Sequence, residues 1–341
     1  MSAPKTPVLD WPLAGRTAAR LARPGPVVTA AQASSVVAEL SRAAVTAEQP
    51  VREVTHLADG LAVAPALVLD RPRWAGAAAL SMGRLTGTAA VPGGAGPGVA
   101  GRVGALQAGA LLAYLSQAVL GQFDPFTHRP GTTTGTLLLV APNVVAVERA
   151  LGVDPHDFRL WVCLHEVTHR VQFTAVPWMS SYMADTVATL TAPAGGSEVL
   201  GRALAAVRQR PEGVLGLVRS LQAPEQRDAL DALLALGTLL EGHADHVMDA
   251  VGPTVVPSVT RIRVRFDARR TRATNPVHRV LRALLGVDAK IAQYVRGKAF
   301  VDHVVDAVGM DAFNTVWTSP QTLPTDAEIA APQRWVSRVL G

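Results

Sequence analysis

The chain has a single cysteine, Cys163, so no disulfide can form within it. That fits a reducing compartment and removes cross-links as a source of stability. A long apolar run is also missing. The nearest approach, Ala105 to Leu120, is interrupted by Gln107, Gly109, Tyr114, Ser116 and Gln117, which makes a buried helix a better reading than a membrane span. The first fifteen residues, MSAPKTPVLDWPLAG, hold no apolar stretch of signal-peptide length. A cytoplasmic protein without a membrane partner is therefore expected. Lysine is rare, and the 32 basic residues are nearly all arginine against 27 acidic ones, well interspersed. A net charge of +5 over 341 residues is too small an excess to predict a nucleic-acid partner. Val91 to Gly104, VPGGAGPGVAGRVG, is rich in glycine, but no Gly-Lys-Ser/Thr follows and no strand leads into it, which excludes a phosphate-cradling loop. There is no internal repeat.

What is present is a globular composition, 49% hydrophobic and 17% charged, on a chain long enough for one large domain or two ordinary ones. Residues 1 to 28 carry several prolines and read as an extended arm. Thr29 is placed to cap a helix running to about Gln49, a short helix follows over Val51 to Leu61, and Pro72 opens another that ends near Gly87. The glycine-rich 91–104 segment reads as a loop separating a helical N-terminal region, residues 1–104, from the remainder, 105–341; the two can also form one domain. Thr136 to Val140, TLLLV, is the best strand. Asn143 is positioned to cap a helix to Leu151, and Asp154-Pro155 to open a long one reaching Phe173. Helical periodicity returns over 197–221, 224–250, 254–272, 276–297 and 298–308. The expected class is mainly α with a minor strand element.

The long helix carries Leu164-His165-Glu166-Val167-Thr168-His169. Residues four apart share a helix face, so His165 and His169 can meet one metal ion. Glu166 follows the first histidine and can reach a metal-bound water as general base, zinc lowering that water's pKa to about 7. The bland alternative is two core histidines bonded to backbone, which the strongly apolar surroundings, FRLWVCLHEVTHRVQF, would make costly. A catalytic zinc needs a third protein ligand and an open position. Downstream, LLEGHADHVMD puts Glu241 and Asp245 four apart on one helix face: a ligand carboxylate, and an aspartate that could orient a ligand histidine. The alternative is a solvated face. The extended HExxHxxGxxH form would need glycine at 172, where Gln172 stands, and the inverted HxxEH is absent.

HExxH followed by a helical E-x-x-A-D resembles the gluzincin metallopeptidases. More closely, LWVCLHEVTHRVQFTAVPW, EGHADHVMD and VWTSPQTLPT resemble zincin-like hydrolases of actinobacteria and related bacteria, described as zinc-dependent metalloproteases or linked to deazaflavin coenzyme biosynthesis. The resemblance runs from about Asp10 to the end. It implies a zincin-like metallohydrolase fold, a Zn2+ cofactor held by His165, His169 and Glu241, and Glu166 as catalytic base. It does not supply a substrate; the expectation of a peptide or amide bond comes from the zinc-and-glutamate chemistry itself. The competing class is a non-catalytic, zinc-stabilised helical binding protein, against which the retained Glu166 speaks.

Other residues are weighed more lightly. Cys163, two before His165, points off the ligand face and reads as a buried thiol. His243 lies on roughly the opposite face from Glu241, and His246 follows Asp245. Arg261, Arg265, Arg269 and Arg272 form a helical stripe, either a carboxylate clamp or a solvated face. Tyr294 and His278 are conceivable oxyanion donors, since gluzincins often use a downstream Tyr or His. Phe173, Trp178 and Met179 could line an apolar cleft or simply pack.

Overall fold

The computed structural model describes residues 9–87, 98–128, 135–192, 222–271 and 287–341, with the side chains of 270–271 and 287–295 outside that description. The described chain is mostly helical, with one three-stranded sheet. It divides into two compact units: residues 1–180 with 247–266, and residues 181–246 with 267–341.

The first unit is built around the sheet. Its helices are α1 (Trp11–Leu21), α2 (Ala30–Thr46), α3 (Glu48–Thr55), α4 (Arg71–Leu85), α5 (Val99–Leu115), α6 (Ala141–Leu151) and α7 (Pro155–Ala175). The strands are β1 (Leu67–Leu69), β2 (Gly121–Asp124) and β3 (Thr136–Val140), in the order β1-β3-β2. β3 runs parallel to β1 and antiparallel to β2, pairing Gly121 with Leu139 and Phe123 with Leu137. It is central and buried on both faces, which is why the LLLV that follows Thr136 is an unbroken apolar run rather than an alternating one. The pleat sorts its side chains: Leu137 and Leu139 enter a core with α2, α6 and α7, while Leu138 and Val140 enter another with Trp74, Ala75 and Leu112.

Local chemistry explains several departures from the sequence expectations. The N-terminal arm is helical from Trp11, because the Asp10 carboxylate accepts from Leu13 N–H at 2.9 Å and Pro12 sits in the first turn, where its missing N–H costs nothing. Of the expected loop, 91–97 lie outside the described residues, while the chain is helical from Val99; the small residues of α5 allow close packing, with a Cβ at Gly109 lying only 2.7 Å from the Ala14 carbonyl oxygen. Asn143 does not cap α6, which starts at Ala141. Its buried amide donates to the carbonyls of Ser116 and Val119 and accepts from Arg71, tying the end of α5 to α4. Thr29 caps α2 as expected, in a reciprocal pair with Gln32. The next helix, α3, ends at His56, which has a left-handed backbone (φ 53°).

In the second unit, α8 (Trp178–Leu190, from Ser181 on) is followed by α9 (Pro224–Val255), which contributes its residues up to His246 here and those from Val247 to the first unit. α10 (Val259–Thr271) begins in the first unit, and α11 (Val287–Val308), α12 (Met310–Phe313), α13 (Asp326–Ala330) and α14 (Pro332–Val339) complete the second. Phe300, Phe313 and Trp335 are fully buried there, and the Trp335 indole donates to the Thr322 carbonyl at 2.8 Å. Arg338 pairs with Glu328, and together with the hydrogen bonds from Thr325 this outweighs the opposing effect of burial and holds the Glu328 carboxyl below its ordinary range. The stability this gives is present above the unfolded carboxyl's pKa and is lost as pH falls through the folded one.

Cys163 is fully buried beside the Leu40 carbonyl. Burial, and secondarily the charge of Glu166, push its thiol far above the ordinary value. Native protein should therefore leave a thiol-reactive chromogenic disulfide unreduced over hours, and release one equivalent per chain on denaturation. Rapid reaction in the folded state would contradict this burial.

Candidate metal centre

α7 positions the motif. Asp154 caps it through the Asp157 N–H, Pro155 occupies its first turn, and Asp157 places a carboxylate at its positive end. Phe158, Trp161, Val162, Leu164, Val167 and Val171 are buried along it, each large apolar side chain contributing about 1.5–3 kcal/mol. Val176 leaves the α region at the helix end, as the proline that follows it disfavours helical backbone there. The polar side chains of the motif thus stand on a helix anchored along its apolar side.

His165 and His169 are half-buried, with ring centroids 4.7 Å apart and planes at 87°. Their Nε2 atoms approach to 3.2 Å. Two imidazole nitrogens at about 2.0–2.1 Å from one tetrahedral zinc would stand about 3.3 Å apart, so the pair fits a shared metal. The Nδ1 of His169 lies 2.9 Å from the Gln172 side-chain oxygen, which is buried. An Nδ1–H donated there leaves the Nε2 lone pair for a metal. Gln172 is thus the group behind His169, a role that the sequence alone does not assign to it. Its position three residues after His169 was the only available signal.

Glu166 is buried, and its carboxylate stem lies against Gly121 at the start of β2. A Cβ at 121 would come within 2.6 Å of Glu166 Cγ and 2.7 Å of its Cδ. Only glycine leaves this space open, and the sequence carried no hint of it.

On α9, Glu241 is half-buried and Asp245 buried, and one continuous helical turn places them on the same face. His243 packs elsewhere: it is fully buried, stacked on Phe313 (5.5 Å) and edge-on to Trp317 (5.4 Å). His246 bonds Asp302 at 2.7 Å, which Lys298 also engages. His165 and His169 belong to the first unit, and Glu241 and Asp245 to the second.

Two members of the arginine stripe serve the backbone. Arg261 and Arg265 donate to carbonyls at the end of α6, Arg265 to Leu151 at 2.6 Å and Gly152 at 2.7 Å. Arg269 is exposed, and Arg272, His278 and the Tyr294 side chain lie outside the described residues. Met179 is fully buried, whereas Phe173 lines a cavity. No described helix is long and apolar enough to cross a membrane.

A predominantly helical frame with paired histidines and an adjacent buried glutamate defines the class of helix-borne metallohydrolase sites. The chain belongs to the zincin-like metallopeptidase family, whose match spans residues 9–336. It is also similar to the crystal structure of a candidate hydrolase with a novel fold from Chloroflexus aurantiacus, at 30% identity over 97% of this chain and 98% of that one, with a TM-score of 0.66. No curated protein matches it.

Proposed function

We propose that this chain is a zinc-dependent peptidase in which His165, His169 and Glu241 hold the metal and Glu166 is the general base. The observation that carries the reading is the convergence of the two Nε2 atoms beside a buried carboxylate. When bound, zinc would polarise the scissile carbonyl and acidify a water. The Glu166 carboxylate would accept a proton from the attacking water and later deliver it to the leaving amine. Gln172 orients His169, and Asp245 steadies the ligand shell from the Glu241 face. The substrate class is a peptide or amide. The deazaflavin link suggested by resemblance plays no part in this reading.

Purified protein should hold about one zinc per chain. Glu241→Ala should strip most of it, and Asp245→Ala should weaken binding by about 10 to 100-fold. His243→Ala should keep the metal and instead lower the melting temperature, because it removes a ring packed between Phe313 and Trp317. Elemental analysis and a competitive zinc titration read all three. Metal loss in the His243 variant with retention in the Glu241 variant would overturn the ligand assignment.

A further inference from the structure

A cavity of about 750 Å³ opens at the C-terminal end of α7. Its walls include Leu61, Val63, Pro65, Phe123, Phe173 and Thr174, and among its described lining residues His128 is the one titratable side chain. We propose that it is a subsite for a bulky apolar side chain of a peptide substrate, seated about three residues from the bond that reacts at Glu166. The proposal rests on the peptidase reading above.

Three observations carry it. The first is continuity with the base. Gly121 touches the Glu166 stem, and Phe123, two residues along β2, faces the same side. Phe173 lies seven residues beyond Glu166 on α7, about two turns or 10 Å along the same helix face. Phe123 and Phe173 meet with ring centroids 5.7 Å apart, so the strand and helix that seat the base also form the cavity wall. An extended peptide advances about 3.3 Å per residue, which makes that separation about three residues.

The second is that the facing wall is built in advance. Arg52 donates to the carbonyls of Ala58 (2.6 Å) and Leu61 (2.8 Å), and Arg170 donates to that of Ala64 (2.6 Å). Glu48 pairs with both arginines. Their guanidinium groups hold the carbonyls of the 58–64 segment, while its small and apolar side chains line the cavity. Arg170 directly follows the second histidine, so this wall is fixed to the helix that carries the motif.

The third is chemistry. The volume lies within the range of ordinary ligand sites, and an apolar lining suits an apolar occupant. A carboxylate or ammonium buried there would lack the dense pairing that buried charge requires.

The test uses the zinc-loaded full chain on a library of peptides from a digested proteome, with cut sites mapped by mass spectrometry. Cut peptides should be enriched in Phe, Leu or Met about three residues to one side of the bond. Thr174→Trp, which fills the cavity, should erase that enrichment. Val63→Asp, at the half-exposed wall, should shift it toward Lys and Arg, and covers the case in which the tryptophan variant fails to fold. In parallel, the Glu166→Gln protein is titrated calorimetrically with acetyl-Phe-Ala-Ala-amide and acetyl-Ala-Ala-Ala-amide. The phenylalanine peptide should bind at least about tenfold more tightly, and Thr174→Trp should remove the difference. Cleavage without positional preference, or equal affinity for the two peptides, including none for either, overturns the subsite. Selective binding lost in Thr174→Trp, with no cleavage of any peptide, would support the subsite and sink the peptidase reading instead.

Discussion

Glu166→Gln should leave zinc bound at about one per chain and lower peptide hydrolysis by about 10²–10⁴-fold, the range expected for loss of a positioned general base. Glutamine matches glutamate in shape, so the contact with Gly121 and the packing of α7 survive, while the proton acceptor is gone. The histidines keep their places because their geometry depends on the helix and on Gln172. The measurements are zinc content, thermal unfolding and turnover of a peptide found in the library screen. Zinc and melting temperature should stay near wild type while turnover falls. Unchanged turnover would move the base elsewhere and return Glu166 to a structural role. Loss of zinc in the same variant would instead mean that Glu166 belongs to the ligand shell.

The histidine pair and Glu166 of the candidate site are legible in the chain, because the three residues fall within about one helical turn. A capping aspartate, a first-turn proline and a sustained apolar face mark α7, and four-residue spacing sets the two histidines together on it. β3 declares itself as four consecutive apolar residues after Thr136 because both of its faces are covered. The other strands do not. β1 has three residues and β2 has four, Gly-Gln-Phe-Asp, too short and mixed to show a period of two; what makes them strands is pairing to β3. The same limit hid the role of Gly121. Glycine at the head of a short strand reads as a turn residue, and its contact with Glu166 exists only once β2 lies on α7. Prolines misled in the other direction. The first residues look like an extended arm until Pro12 is seen as the second residue of a capped helix. Asn143 has the local look of a helix cap, yet its partners lie 24 to 72 residues away, a separation that no local pattern records.

Gly242→Ala should be among the most damaging single-methyl changes in the second unit. Gly242 directly follows Glu241 on α9, and there α9 meets α11 backbone to backbone. A Cβ at 242 would stand 2.1 Å from the Gly297 carbonyl carbon and 2.5 Å from its oxygen, and one at 297 would stand 2.1 Å from the Thr238 carbonyl oxygen. No flexible side chain is available to yield, so the helices must part or one must bend. Overpacking of this kind costs about 1–3 kcal/mol and sometimes more; backbone contact from both sides places this case at the upper end, about 3 kcal/mol or above. The displacement begins one residue from the proposed ligand, so zinc affinity should fall together with stability. Gly237→Ala supplies the control. It lies on the same helix, a Cβ there meets nothing within 4 Å, and alanine's helix propensity should make the change neutral or stabilising by up to about 1 kcal/mol. Denaturant titration with matched zinc titrations separates the two. If Gly242→Ala unfolds at the same denaturant concentration as Gly237→Ala and binds zinc as tightly, the close crossing of α9 and α11 is not what holds the Glu241 turn in place.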